Sequence, residues 1–89
     1  MPRQRVSDAD KAYGERLGRY LRTLRTEMNR SAQQVAEASE LSIDTVRSIE
    51  TGRIAAPSFL TVSRIATALG VGLDQIRRAV EGQGIGKDG

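Results

Sequence analysis

Apolar residues recur at helical spacing in five stretches of the chain, separated by serine, glycine and proline. From Ser7 to about Glu27, advancing about 100° per residue, the side chains of Tyr13, Leu17, Tyr20, Leu21, Leu24 and Met28 fall within one arc. That arc predicts the buried face of a first helix. Ser7 has the spacing of a weak cap to Asp10. Arg25 stands at the edge of the arc, while Arg16, Arg19 and Arg22 point away from it and read as solvated. Gly14 and Gly18 lie four apart on one side, and each costs roughly 1 kcal/mol against alanine inside a helix. Either they admit a close helix, with the C-terminal one as the candidate, or Gly14 marks a later helix start.

The stretch from Ser31 to Gly52, SAQQVAEASELSIDTVRSIETG, predicts two short helices joined by a tight turn over Ser39 to Leu41. Val35, Ala36 and Leu41 give the first a buried face, and Val46 and Ile49 give one to the second. Ser31 with Gln34 three residues later has the form of a capping box. Ser42 repeats the cap, with Asp44 in the first turn where a carboxylate suits the helix dipole. Gly52 closes the second helix. Two capped helices this close form a helix-turn-helix.

A fourth helix is predicted after Pro57, with Ser58 as N-cap, Phe59, Val62, Ile65, Ala66 and Leu69 buried, and Gly70 as its stop. A fifth runs from about Leu73 to Glu81 and buries Leu73, Ile76 and Val80. Residues 1–6 read as a disordered basic arm, 7–81 as one domain, and 82–89, with four of the nine glycines, as a flexible tail. No strand pattern or internal repeat is visible.

These pieces together resemble the phage repressor and Cro type of helix-turn-helix, often called the Xre family. Leu17-Gly18 and Leu21 to Arg25 are similar to its first helix, and Ile49 to Gly52 to the exit of its recognition helix. Pro57 to Leu60 and Ile65 to Val71 are similar to its fourth helix, and Leu73 to Ile76 to its fifth. The likeness covers about two thirds of the chain and rests on order and spacing. It implies an all-α, five-helix, phage-repressor-like DNA-binding bundle. Three positions depart from the family. Ala32 replaces a glutamine that commonly grips phosphate, Glu40 replaces the glycine of the turn, and Arg30 stands where an apolar residue is common. On this reading Met28 fills the apolar gap and Arg30 faces DNA.

Eighty-nine residues make one small domain with a modest core, and its three aromatic residues, Tyr13, Tyr20 and Phe59, leave that core mainly aliphatic. No apolar run is long enough to span a bilayer, and no signal peptide is evident, which predicts a soluble, cytoplasmic, nucleoid-associated protein without a membrane partner. The net charge of +3 and pI near 10.0 suit a polyanionic partner. Twelve of the fourteen cations are arginine, the side chain that makes forked contacts to phosphate and guanine. A codon preference for arginine explains that bias equally well.

In a helix-turn-helix the second helix enters the major groove with its N-terminal residues against base edges. With Val46 and Ile49 turned inward, Ile43, Asp44, Arg47 and Ser48 remain to read bases. The resemblance places Ile43, Asp44 and Ser48 on reading positions. Arg47 is the candidate for guanine or phosphate and Ile43 for a thymine methyl. Asp44 reads cytosine or serves as a cap held by Arg47, its i,i+3 neighbour. Ser31, Gln33, Thr51, Arg53 and Ser58 are the candidates for phosphate. The resemblance pairs Glu50 with Arg25, and a half-buried cation at the edge of a core independently needs such a partner.

Two functions follow. One is sequence-specific binding of double-stranded DNA by a homodimeric transcriptional regulator, with Val80 and Ile85 as the place to look for the dimer surface. The other is an antitoxin-like module with a protein partner, favoured by Ala32, Glu40 and Asp44, each of which weakens a nucleic-acid face. The chain has no His or Cys, its carboxylates are scattered, and no glycine-rich phosphate loop precedes a helix, so neither catalysis nor a metal or other cofactor is expected.

Overall fold

The computed structural model describes residues 7–85, with side chains as far as Gly82. It contains five helices: α1 (Asp8–Glu27), α2 (Ala32–Ser39), α3 (Ile43–Glu50), α4 (Phe59–Leu69) and α5 (Leu73–Ile85). Residues 1–6, read as a basic arm, and 86–89 of the expected tail lie outside the described residues. Among the described residues, no helix is long and apolar enough to cross a membrane.

Four helices begin at a serine. The hydroxyl oxygens of Ser7, Ser31, Ser42 and Ser58 accept from the amides of Asp10, Gln34, Thr45 and Thr61, at 3.0–3.1 Å. Each satisfies one of the donors a helix start leaves free. The box at α2 is complete, since the Ser31 amide donates back to Gln34 Oε1 at 2.8 Å. The exits of α1, α2 and α4 turn through left-handed residues Asn29, Glu40 and Gly70. At α2 the amide of Leu41 bonds the Ala36 carbonyl at 2.9 Å and that of Glu40 bonds Glu37 at 3.3 Å, the paired closure of a Schellman turn. Glu40 thus takes the left-handed conformation (φ 61°) that glycine adopts most readily, at a cost of about 1–2 kcal/mol, while its carboxylate lies 3.6 Å from Arg64.

Leu17, Leu21, Val35, Ile49, Ile65, Ala66, Leu69, Ile76 and Val80 form the core, and Ala32, Ala36 and Val46 a smaller cluster between α2 and α3. Helix α1 packs on α3 and α5, and α2 on α3 and α4. The Tyr13 hydroxyl donates to Glu81 at 3.1 Å and ties α1 to α5.

Several expectations need correction. Phe59 is 74% exposed, because α4 packs through its second half and its first turn projects beyond the core. Met28 is 41% exposed and fills no gap. Arg30 reaches the α4 exit, where its guanidinium donates to the Ala68 carbonyl at 2.7 Å; a cation there suits the helix dipole. Arg16 is half-buried rather than solvated, stacking over Tyr13 and donating to the Val80 carbonyl. Helix α5 passes Glu81 and runs on to Ile85. Gly14 and Gly18 do admit a close neighbour, but it is the end of α3 and the loop after it. A Cβ on Gly14 would collide with the Ala55 carbonyl, and one on Gly18 with the Ile49 carbonyl.

Candidate nucleic-acid interface

Helix α3 is fixed on one side by Val46 and Ile49, each 1% exposed, and at its end by Glu50. The Arg25 Nε donates to Glu50 Oε2 at 2.7 Å and Nη2 to Oε1 at 3.0 Å, a two-pronged contact with side chains 13% and 8% exposed. A third donor, Nη1, bonds the Arg30 carbonyl at 2.7 Å. The hydrogen bond to Glu50 is the chief reason the Arg25 guanidinium is held above its ordinary pKa; burial opposes that shift and the carboxylate charge adds to it. The expected pair is therefore present, and it joins α1, the α1–α2 turn and α3 at one point.

Of the four expected readers, Asp44 and Arg47 are exposed. Ile43 is half-buried and packs against Ala32, Ala36 and Val46. Its outward placement is thereby corrected, since the short α2–α3 turn brings the start of α3 down onto α2. Ser48 is only 3% exposed, contrary to the outward orientation read from the helix period. The chain after α3 returns over it: the Ile54 amide donates to the Ser48 carbonyl at 3.1 Å, and the side chain of Arg53 folds back along α3. Its Nη2 donates to Asp44 Oδ1 at 3.2 Å and to Ser48 Oγ. Gly52 makes this possible: at φ 80° it reverses the chain where a side chain would be strained. Asp44 is accordingly partnered by Arg53, not by Arg47.

The phosphate candidates divide into separate groups. Ser31 and Thr51 line one cleft with Arg22, Arg25, Ala32, Arg47 and Glu50. The capping box occupies the amides of Ser31 and Gln34, which leaves those of Ala32 and Gln33 as the free donors at the start of α2. Gln33 turns its amide toward Glu37 at 3.4 Å, and Ser58 is engaged with Thr61 at the start of α4. Arg53 lies against Asp44 and Ser48 of α3, away from that cleft.

Arg22 is the residue the sequence reading missed. A signal existed: it stands three positions before Arg25, on the flank of α1 that the Arg25–Glu50 contact turns toward α3. With Arg25 committed to Glu50, Arg22 and Arg47 supply the exposed positive charge of the cleft.

A family model described as a helix-turn-helix domain matches residues 16–79. Among solved structures, the clp gene regulator ClgR from C. glutamicum is similar, with a TM-score of 0.76 and 25% identity over 84% of this chain and 96% of that one. No curated protein matches in sequence. The match begins within α1 and ends within α5, so it takes in the whole of α2, α3 and α4. The chain belongs to the helix-turn-helix domain family, in its phage repressor and Cro form.

Proposed function

We infer that the chain is a DNA-binding transcriptional regulator that recognises specific double-stranded sequences, with α3 in the major groove. The observation that carries this reading is the cleft beside α3, where Arg22, Arg47, Ser31 and Thr51 converge on the open start of α2. Arginines, hydroxyls and free amides are the groups that hold phosphate. Helix α3 stands next to that clamp with Asp44 and Arg47 exposed. The likeness to a protein named as a gene regulator supports the same assignment.

Selection of bound duplexes from a random pool tests this reading, followed by titration of the winner against salt. Enrichment of one motif is expected, with log K falling about 0.9 per phosphate contact as log salt rises. Arg22→Ala should weaken binding alike on all sequences and reduce that slope by about 1. No enrichment, with a binding constant flat in salt, would move the function to a protein partner.

The regulator acts as a homodimer, matching a palindrome with half-sites about 34 Å apart. Val80, expected at the dimer surface, is fully buried, and the side chain of Ile85 lies outside the described residues. Phe59 and Leu60, 74% and 59% exposed, form an apolar pair at the start of α4 that a second copy would cover. Phe59→Ser with Leu60→Ser should shift sedimentation toward monomer and leave the melting temperature within a few degrees. An unchanged sedimentation coefficient would place the dimer surface elsewhere.

A further inference from the structure

We propose that Arg19 holds a second phosphate, next to the one in the cleft beside α3, so that one DNA strand runs along the flank of α1 past the exit of α3. This rests on that cleft holding DNA phosphate. Arginines without a partner in the fold mark the place. Among the described residues, Arg16 and Arg30 donate to main-chain carbonyls, and Arg25, Arg53, Arg64, Arg77 and Arg78 face carboxylates. Arg19, Arg22 and Arg47 have no such acceptor there, and all three are exposed. Two of them line the cleft. The third stands three residues before Arg22 on α1.

Residues three or four apart on a helix are neighbours, with about 5–6 Å between Cβ atoms, and Glu15, Arg19 and Arg22 follow one another along one stripe of α1. Both ends of that stripe adjoin α3. Arg22 lines the cleft with Arg47 and Thr51, and the Cγ of Glu15 lies 2.9 Å from where a Cβ on Gly52 would stand. Arg19, between them, is therefore placed beside the last turn of α3. An exposed arginine alone says nothing about a ligand. Here the arginines neutralised within the fold are spread over the bundle, while the three uncompensated ones adjoin a single site, which is the electrostatic footprint of a polyanion. A DNA strand offers its charges at regular steps, so a cation one helix turn along from the first meets the next phosphate. The forked donors of a guanidinium suit that ligand. Glu15 ends the track, because its carboxylate repels a further phosphate.

The test uses the full chain on a duplex selected from a random pool, with single phosphates replaced in turn by neutral methylphosphonates. Wild type is expected to lose affinity when either of two neighbouring phosphates on one strand is neutralised. Arg19→Ala should become indifferent to one of them and keep its response to the other, and Arg22→Ala should show the converse. Each substitution should lower the slope of log K against log salt by about 1, and the two together by about 2. Base preference should not change, since a phosphate contact carries no sequence information. Arg19→Lys should keep most of the slope, because the ammonium retains the charge. Arg78→Ala, which removes an exposed cation of α5, should leave the methylphosphonate pattern as it is. An unchanged melt for each variant shows that the fold is intact.

If Arg19→Ala responds to every methylphosphonate as wild type does, Arg19 holds no phosphate and the proposal falls while the cleft stands. The same follows if Arg19→Ala lowers affinity without altering which phosphates matter, for then it acts only through net charge. A wild type indifferent to every phosphate, with binding flat in salt, overturns the cleft reading as well.

Discussion

Alanine in place of Glu50 is expected to lower the unfolding free energy by about 3 kcal/mol, because it strands a largely buried guanidinium. For a domain of this size that corresponds to a fall in melting temperature of roughly 15 °C. Arg25 would keep its bond to the Arg30 carbonyl and lose both contacts to the carboxylate. Glu50→Gln should cost less, since the amide oxygen still accepts one hydrogen bond. Arg25→Ala should cost at least as much, because it leaves the carboxylate unpaired and frees the Arg30 carbonyl as well. Urea unfolding of the three variants measures this directly. A loss under about 1 kcal/mol for Glu50→Ala would mean that the pair behaves like an exposed one. DNA affinity should fall with stability here, since Glu50 closes α3, the helix proposed to carry the reading face.

The helices were legible because their determinants are local. A serine followed by a helical run states where a helix starts, and the spacing of Leu17, Leu21, Ile65 and Leu69 states which face is buried. The Arg25–Glu50 pair was legible from the family resemblance, and the need of a half-buried charge for a partner agreed with it. What the sequence did not disclose depends on side chains returning from a distance. Ser48 lies on the outer face by its period, yet the chain after α3 returns over it through Arg53 and Ile54. Arg30 answers to the Ala68 carbonyl thirty-eight residues away, which no local pattern encodes. The extent of α5 was missed for another reason. Gly82 and Gly84 each weaken a helix by about 1 kcal/mol, but Ile76 and Val80, 4% and 0% exposed, anchor the turns before them.

The same physics makes the proposed reading face a property of the whole bundle. Asp44 and Arg47 are held where they are because Val46 and Ile49 sink into two clusters at once, and α1 sets the far end of α3. The cleft proposed to hold phosphate is shared in the same way, with Arg22 contributed by α1, Ser31 by the start of α2 and Arg47 by α3. The groups proposed to read bases and hold phosphate keep one spacing only while α1 and α3 keep theirs.

That spacing is set at Gly18, and Gly18→Ala should be strongly damaging for so small a substitution. On propensity alone the change would stabilise α1 by about 1 kcal/mol. The added Cβ, however, would run into the Ile49 carbonyl and lie 2.9 Å from that of Glu50. These are backbone atoms of α3 and cannot rotate aside, so α1 and α3 must separate and reopen the core at Leu21 and Ile49. The net loss should be about 2–3 kcal/mol, at the upper end of the cost of overpacking. Gly82→Ala provides the control, because a Cβ there meets nothing within 4 Å and should add about 0.5–1 kcal/mol. Opposite signs for one substitution on two helices would show that close approach, not helix propensity, fixes α3. Gly18→Ala should also lose duplex binding at temperatures where it remains folded, as a displaced α3 no longer presents Arg47 beside Arg22. Retained affinity in a folded Gly18→Ala variant would mean that α3 holds its place without α1.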